Sequence, residues 1–204
     1  MLKYCIDHRE ENMNYKEEFL EIFYDIEREG SDKLLDWLER SDFFTAPAST
    51  NRHSAEEGGL CKHSVFVYRR LVKLLESEYG KDWRQTVSAE TAAIVALLHD
   101  VCKVNCYISD TRNVKDENGV WQKIPCYKFE DSLPYGHGEK SVYIISSFIK
   151  LTREEAMAIN WHMGGFDARV KGGYYGLQTA YYNYPLALLV HLADIEATYL
   201  DETC

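Results

Sequence analysis

The sequence predicts an all-helical protein of one domain with a single inserted β-hairpin. Three observations carry this. Apolar residues recur every three or four positions along most of the 204 residues. One stretch, residues 104 to 131, abandons that period for alternating β-formers around Asn118-Gly119, a favoured hairpin turn. Hydrophobic residues make up 46% and charged residues 27%, enough apolar material for a real core and too much for disorder.

In chain order, Phe19, Ile22, Phe23 and Ile26 share a face and predict a helix from Tyr15 to Glu29. Ser31 opens a second helix through Leu34, Leu35, Trp37 and Leu38. From Phe43 to Leu60 the stretch APASTNRHSAEEGG has no apolar period and reads as a loop. Helical spacing resumes from Cys61 to Tyr79 and stops at Gly80. Ser88 is a natural N-cap for a segment, Thr91 to Val101, that is apolar almost all round and therefore belongs in the middle of the fold. After the hairpin, Glu139 to Lys150, Arg153 to Trp161 and Pro185 to about Tyr199 read as helices. Thr152 and Glu155 form a capping box on the second of these, and Pro185 starts the third. A Gly/Tyr-rich segment joins the last two, with its tyrosines read as packing residues.

Charge narrows the functional classes. Lys and Arg number 23 against 33 Asp and Glu, a net charge of -10, which excludes a broad basic surface for duplex DNA or an anionic membrane. The longest apolar runs, such as Ala92 to Leu98, are far short of the roughly 20 residues a bilayer span needs. The start of the chain lacks the apolar core of a signal peptide, and the six cysteines stand singly with no CxxC. These features predict a cytoplasmic protein with reduced thiols.

Four of the seven histidines lie at helix ends or beside glycine: His63 in GGLCKHS, His99 in ALLHDVCK, His137 in YGHGEKS and His162 in NWHMGG. A single buried histidine is more often structural than ligating. An ordered series of them on separate elements, together with Asp100 and with Asp194 in HLADIEA, is a set of first-row metal ligands. Adjacent residues on a helix diverge by roughly 100°, so His99 and Asp100 could serve neighbouring ions with Asp100 as the bridge.

The series His63, His99-Asp100, His137, His162, Asp194 resembles the HD superfamily of metal-dependent phosphohydrolases over roughly residues 50 to 200. The resemblance implies an HD-domain helical bundle over residues 46 to 204, with residues 1 to 45 as helices packed on it. The hairpin of residues 104 to 131 is extra to that minimal fold and is expected to cover the site. It implies two divalent transition-metal ions, Mn, Fe, Ni, Co or Zn. His63, His99, Asp100 and Asp194 would hold the first, and Asp100, His137 and His162 the second. It implies cleavage of a phosphoester by a hydroxide bridging the metals, on a small phosphorylated substrate, a nucleotide or a single-stranded nucleic-acid end. RHSAEEGGLCKHS is similar to branches that act on nucleic acids from the 3′ end, although no separate nucleic-acid module is evident.

Lys103 lies one turn after His99 and resembles the lysine that follows the pair in many branches, where it would steady a phosphoryl oxygen. Asp100 and Lys103 are thus the expected catalytic residues. His53, Lys140 and Arg169 flank proposed ligands and are expected substrate contacts alongside Lys103. Asp167 reads as a loop-surface residue, and His191 as a core histidine or one that orients Asp194. Two other functions share this ligand pattern. One is an HD-type di-iron oxygenase; the other is a catalytically silent nucleotide-binding module, against which the complete ligand set argues.

Overall fold

The structure is a computed structural model that describes residues 14–51 and 54–202. Among these residues it is helical apart from one antiparallel hairpin. The helices are α1 (Tyr15–Phe23), α2 (Ser31–Arg40), α3 (Gly59–Tyr79), α4 (Ala89–Leu97), α5 (His137–Ser146), α6 (Arg153–Asn160), α7 (Ala168–Lys171), α8 (Gly176–Asn183) and α9 (Pro185–Glu196). The hairpin is β1 (Tyr107–Lys115) and β2 (Trp121–Phe129). No described helix is long and apolar enough to cross a membrane.

α4 is the centre. Ala92 through Leu98 are fully buried, and each of its large aliphatic side chains contributes about 1.5–3 kcal/mol by leaving water. α3 packs on α4 and α9, and α6 packs on α4, α5 and α9. Phe19 of α1 and Leu34 and Leu38 of α2 are fully buried in the same apolar cluster. The local signals in the sequence correspond to real caps. Ser88 Oγ accepts from Thr91 N at 3.0 Å, and Thr152 and Glu155 form the reciprocal box, with Thr152 N on Glu155 Oε2 at 2.7 Å.

Several elements depart from expectation: the central helix stops at Leu97 rather than Val101, and α5 runs His137–Ser146 rather than Glu139 to Lys150. α1 stops at Phe23 rather than Glu29. Residues 24–30 form a turn that buries Ile26 and lays the Arg28 guanidinium on Glu155 (2.7 and 3.1 Å) and Glu90 (2.8 Å). The Gly/Tyr-rich connection contains the helix α8, whose one buried residue, Ala180, leaves too narrow an apolar stripe to be read from sequence. The hairpin turn is not the two-residue type. Gly119 N donates to Asp116 O, Asp116 N to Val120 O, and only Gly119 takes a positive φ (77°), which makes a three-residue loop. The Asp116 side chain selects it by accepting from the amides of Asn118 and Val120, both at 2.9 Å.

Candidate metal centre

α4 ends at Leu97, so His99 and Asp100 are not successive helical positions but lie in the tight turn beyond it, which runs into a 3₁₀ turn at Val101–Lys103. His99 Nδ1 donates to the Ala96 carbonyl (2.8 Å), one of the carbonyls a helix end leaves without an amide partner. α6 repeats the device, with His162 Nδ1 donating to the Ile159 carbonyl at 2.6 Å. Carbonyls only accept, so in both rings Nδ1 holds the proton and Nε2 presents a lone pair. His63, in the first turns of α3, is oriented in the same way, with Nδ1 donating to Glu202 Oε1 at 2.7 Å and Nε2 turned towards the other rings.

The three Nε2 atoms converge on Asp100 and Asp194. His63 Nε2 lies 3.2 Å from His99 Nε2, 3.3 Å from Asp194 Oδ1 and 3.6 Å from Asp100 Oδ2, and His99 Nε2 lies 3.5 Å from Asp100 Oδ2. Ligand atoms about 2.1 Å from a tetrahedral ion stand about 3.4 Å apart, and those of His63, His99 and Asp194 all lie within 4.8 Å of one another, with Asp100 grouped instead with His99 and His162. The other oxygen of Asp100 faces away from them. Oδ1 is 2.8 Å from His137 Nε2 and 3.5 Å from His162 Nε2. His162 Nε2 is buried with no hydrogen-bond partner, an orphaned lone pair that a metal would satisfy. Cys102 Sγ lies 3.5 Å from His137 Nδ1, and its ligand atom groups with those of Asp100 and His137. These buried groups could hold a metal ion.

The electrostatics have the same sign throughout. Burial opposes charge on His63, yet Glu202 and Asp194 raise its pKa to about 10. Burial likewise opposes charge on His137, and Cys102 and Asp100 raise it to about 9. Burial disfavours the Asp100 carboxylate, but Lys103 and the surrounding histidines hold it well below its ordinary range. Asp194, also against burial, is held low by His63. Without metal, protons supply the positive charge that this acidic cage demands.

The centre opens on a cavity of about 760 Å³ whose walls include Asp100, Lys103, His137 and Asp194. Lys103 Nζ lies 2.7 Å from Asp100 Oδ2, which raises its pKa above the ordinary lysine value despite burial. Its placement comes from the 3₁₀ turn, i to i+3 from Asp100, rather than from a helical turn after His99.

The remaining expected contacts are placed elsewhere or bound up. Lys140 is buried, with its ammonium on Asp131 (2.5 Å) and Cys106 Sγ (3.3 Å) at the base of the hairpin. Arg169 is held by Asp167 (2.6 Å) and Glu139 (2.5 Å) and stacks on Trp161 at 4.0 Å, so neither cation lines the cavity. Asp167 is buried and caps α7 rather than lying on a loop surface. His53 lies outside the described residues. No described residue of β1 or β2 lines the cavity, so the hairpin does not cover it.

His191 donates from Nδ1 to the His162 carbonyl at 2.6 Å and so braces His162, not Asp194. Gly164 makes room for that ring. Its φ is +50°, and a Cβ there would lie 2.3 Å from the imidazole of His191.

Sequence reasoning missed Glu202 and Cys102. The signal for Glu202 was its position eight residues after Asp194, two helical turns on, although the last stretch, Ala197–Asp201, is a π-turn that shifts the face. Comparison with protein-family models, with curated proteins and with solved structures found no match.

Proposed function

We propose that this protein is a metal-dependent phosphohydrolase of the HD type acting on a small phosphoester, with a nucleotide as the leading class. The observation that carries the reading is the division of Asp100. One oxygen faces His63 and His99, and the other faces His137 and His162, as a carboxylate shared between two cation positions would. A bound divalent ion would supply a Lewis acid and a water of lowered pKa. The chain's own contributions follow from its geometry. His63, His99 and Asp194 would hold one ion, with Asp100 Oδ2 3.6 and 3.5 Å from the two imidazoles. The second would lie on the Asp100 Oδ1 side, where His137 and His162 stand at 2.8 and 3.5 Å and Cys102 groups with Asp100 and His137. Lys103, already ionised and fixed on Asp100, presents a cation to a phosphoryl oxygen where negative charge develops. The HD-type di-iron oxygenase shares this ligand set, and the cationic wall supports phosphoester chemistry over it.

The test is elemental analysis of untagged protein with a hydrolysis screen under anaerobic conditions with Mn. Metal at one to two equivalents with phosphate release is expected. Lys103→Ala should keep the metal and lose most turnover. Two irons with oxygen consumption and no phosphate release would replace this reading with the oxygenase. No metal after reconstitution would leave a silent binding module.

A further inference from the structure

Resting on the two cation positions of the reading above, but not on its phosphoester chemistry, we infer that Cys102 is a ligand of the second ion through its thiolate sulfur. The second position is then a mixed nitrogen, oxygen and sulfur site that takes Zn, Co(II) or Fe(II) in preference to Mn or Mg.

A buried cysteine is ordinarily a small apolar residue, and Cys61 is one, 2% exposed and part of the apolar cluster on which the helices pack. Cys102 is as buried, at 3%, but among the described residues it stands outside that cluster. Its sulfur lies instead 3.5 Å from Nδ1 and 3.6 Å from Nε2 of His137. Nearly equidistant from the two ring nitrogens, it is in line with neither lone pair and gains little from a hydrogen bond there. Its separation from Nε2 suits a shared ion better. Bonds of about 2.3 Å to sulfur and about 2.0–2.1 Å to an imidazole nitrogen, at the tetrahedral angle, place those two atoms about 3.6 Å apart. Asp100 supplies the third donor, and the ligand atoms of Asp100, Cys102 and His137 all lie within 4.8 Å of one another.

The backbone holds the sulfur in this place. The Cys102 amide donates to Ser141 Oγ at 3.2 Å, on the same helix α5 that His137 begins, and the Cys102 carbonyl accepts from Cys106 Sγ at 3.4 Å. A further observation does not involve the cysteine. His162 Nε2, buried and without a hydrogen-bond partner, lies 3.5 Å from Asp100 Oδ1, so this side of Asp100 calls for an electron-pair acceptor whether or not the sulfur binds one. The group formed by His63, His99 and Asp194 contains no sulfur. Thiolate is a soft donor, so the two positions of one centre differ in the ions they prefer. On binding, the thiol passes its proton to solvent and the sulfur lone pair forms the bond to the ion.

The experiment is stepwise loading of metal-stripped protein with Co(II) under anaerobic, reducing conditions, followed by near-ultraviolet absorption. Wild type, Cys102→Ser, Cys102→Ala and Cys126→Ser, whose sulfur lies on the hairpin, are compared. Circular dichroism reports folding, and elemental analysis the metal content. Wild type and Cys126→Ser should develop a thiolate-to-cobalt charge-transfer band with the second equivalent, and both Cys102 variants should lack it. After dialysis wild type should retain two Zn but one Mn. Cys102→Ser should weaken the second Zn by more than about 10-fold, the least that a group behind a ligand is worth. X-ray absorption on the Zn-loaded wild type needs no variant and should show a sulfur neighbour at about 2.3 Å. Two bound Co(II) with no band, a band that survives in folded Cys102→Ser, or Zn with only nitrogen and oxygen neighbours would each overturn the inference. A Cys102-dependent band with no phosphate release would leave it standing and refute the hydrolase reading. Phosphate release with two bound ions and no sulfur signal would do the reverse, and a wild type that binds no metal would overturn both.

Discussion

Glu202→Gln is the most informative single change. The carboxylate is fully buried, accepts from His63 Nδ1 at 2.7 Å through one oxygen and from Ser54 Oγ at 2.6 Å through the other. The amide keeps the shape and can still accept from His63, so the fold should survive while the charge is lost. Carboxylates behind metal-ligating histidines are worth about 10- to 100-fold in metal affinity, or about 1.4–2.7 kcal/mol. Burial places this one at the upper part of that range, since little solvent screens it. Part of the loss is returned, because His63, whose pKa Glu202 and Asp194 raise to about 10, also holds its competing proton less tightly. A dication carries twice the charge of that proton and loses more, so the net effect remains a weakening. The assay is competition for Mn or Zn with a chromophoric chelator at pH 7.5, with circular dichroism as the folding control. Ser54→Ala, which removes only the hydrogen bond to the far oxygen, should show a smaller effect in the same direction. Unchanged affinity in a folded Glu202→Gln protein would refute the role of Glu202 and weaken the assignment of His63 as a ligand.

Gly164→Ala places a methyl group 2.3 Å from the His191 ring at a backbone of φ +50°. The left-handed conformation alone costs about 1–2 kcal/mol, and displacing His191 also frees His162, so both melting temperature and metal affinity should fall. An unchanged affinity would show that His191 does not position His162. pH should act oppositely on the two forms of the protein. His63 and His137, raised to about 10 and about 9, stabilise the metal-free fold fully below their ordinary pKa and lose that contribution as pH rises through those values. Asp100 and Asp194, held low, contribute above the ordinary carboxylate pKa and lose it as pH falls. Metal ligation requires the deprotonated histidines, so the gain in melting temperature on adding metal should grow from pH 6 to pH 9; a gain independent of pH would contradict this. Arg28→Met leaves the buried Glu155 carboxylate with only its capping amide and Thr91, and should cost about 3 kcal/mol in denaturant unfolding without changing metal content.

Much of this molecule was legible in its sequence. Apolar period, the Ser88 cap and the Thr152/Glu155 box located helices, because those signals act between residues a few positions apart. Residue type at helix ends singled out His63, His99, Asp100, His137, His162 and Asp194, and the structure brings all six together. What the sequence could not hold was the partner of each group across space. Glu155 caps its own helix, which is local, and also captures Arg28 from 127 residues away, in the turn that follows α1. Lys140 and Arg169 carry the same charge as Lys103 and flank the ligands as closely in sequence. Asp131 and Cys106 bury the first, and Asp167 and Glu139 bind the second. Glu202 became part of the centre only because the turn after α9 carries it back to α3. Local hydrogen bonds and apolar periodicity are properties of neighbouring residues; which carboxylate meets which cation is decided by packing, where a few ångströms separate a free charge from a neutralised one.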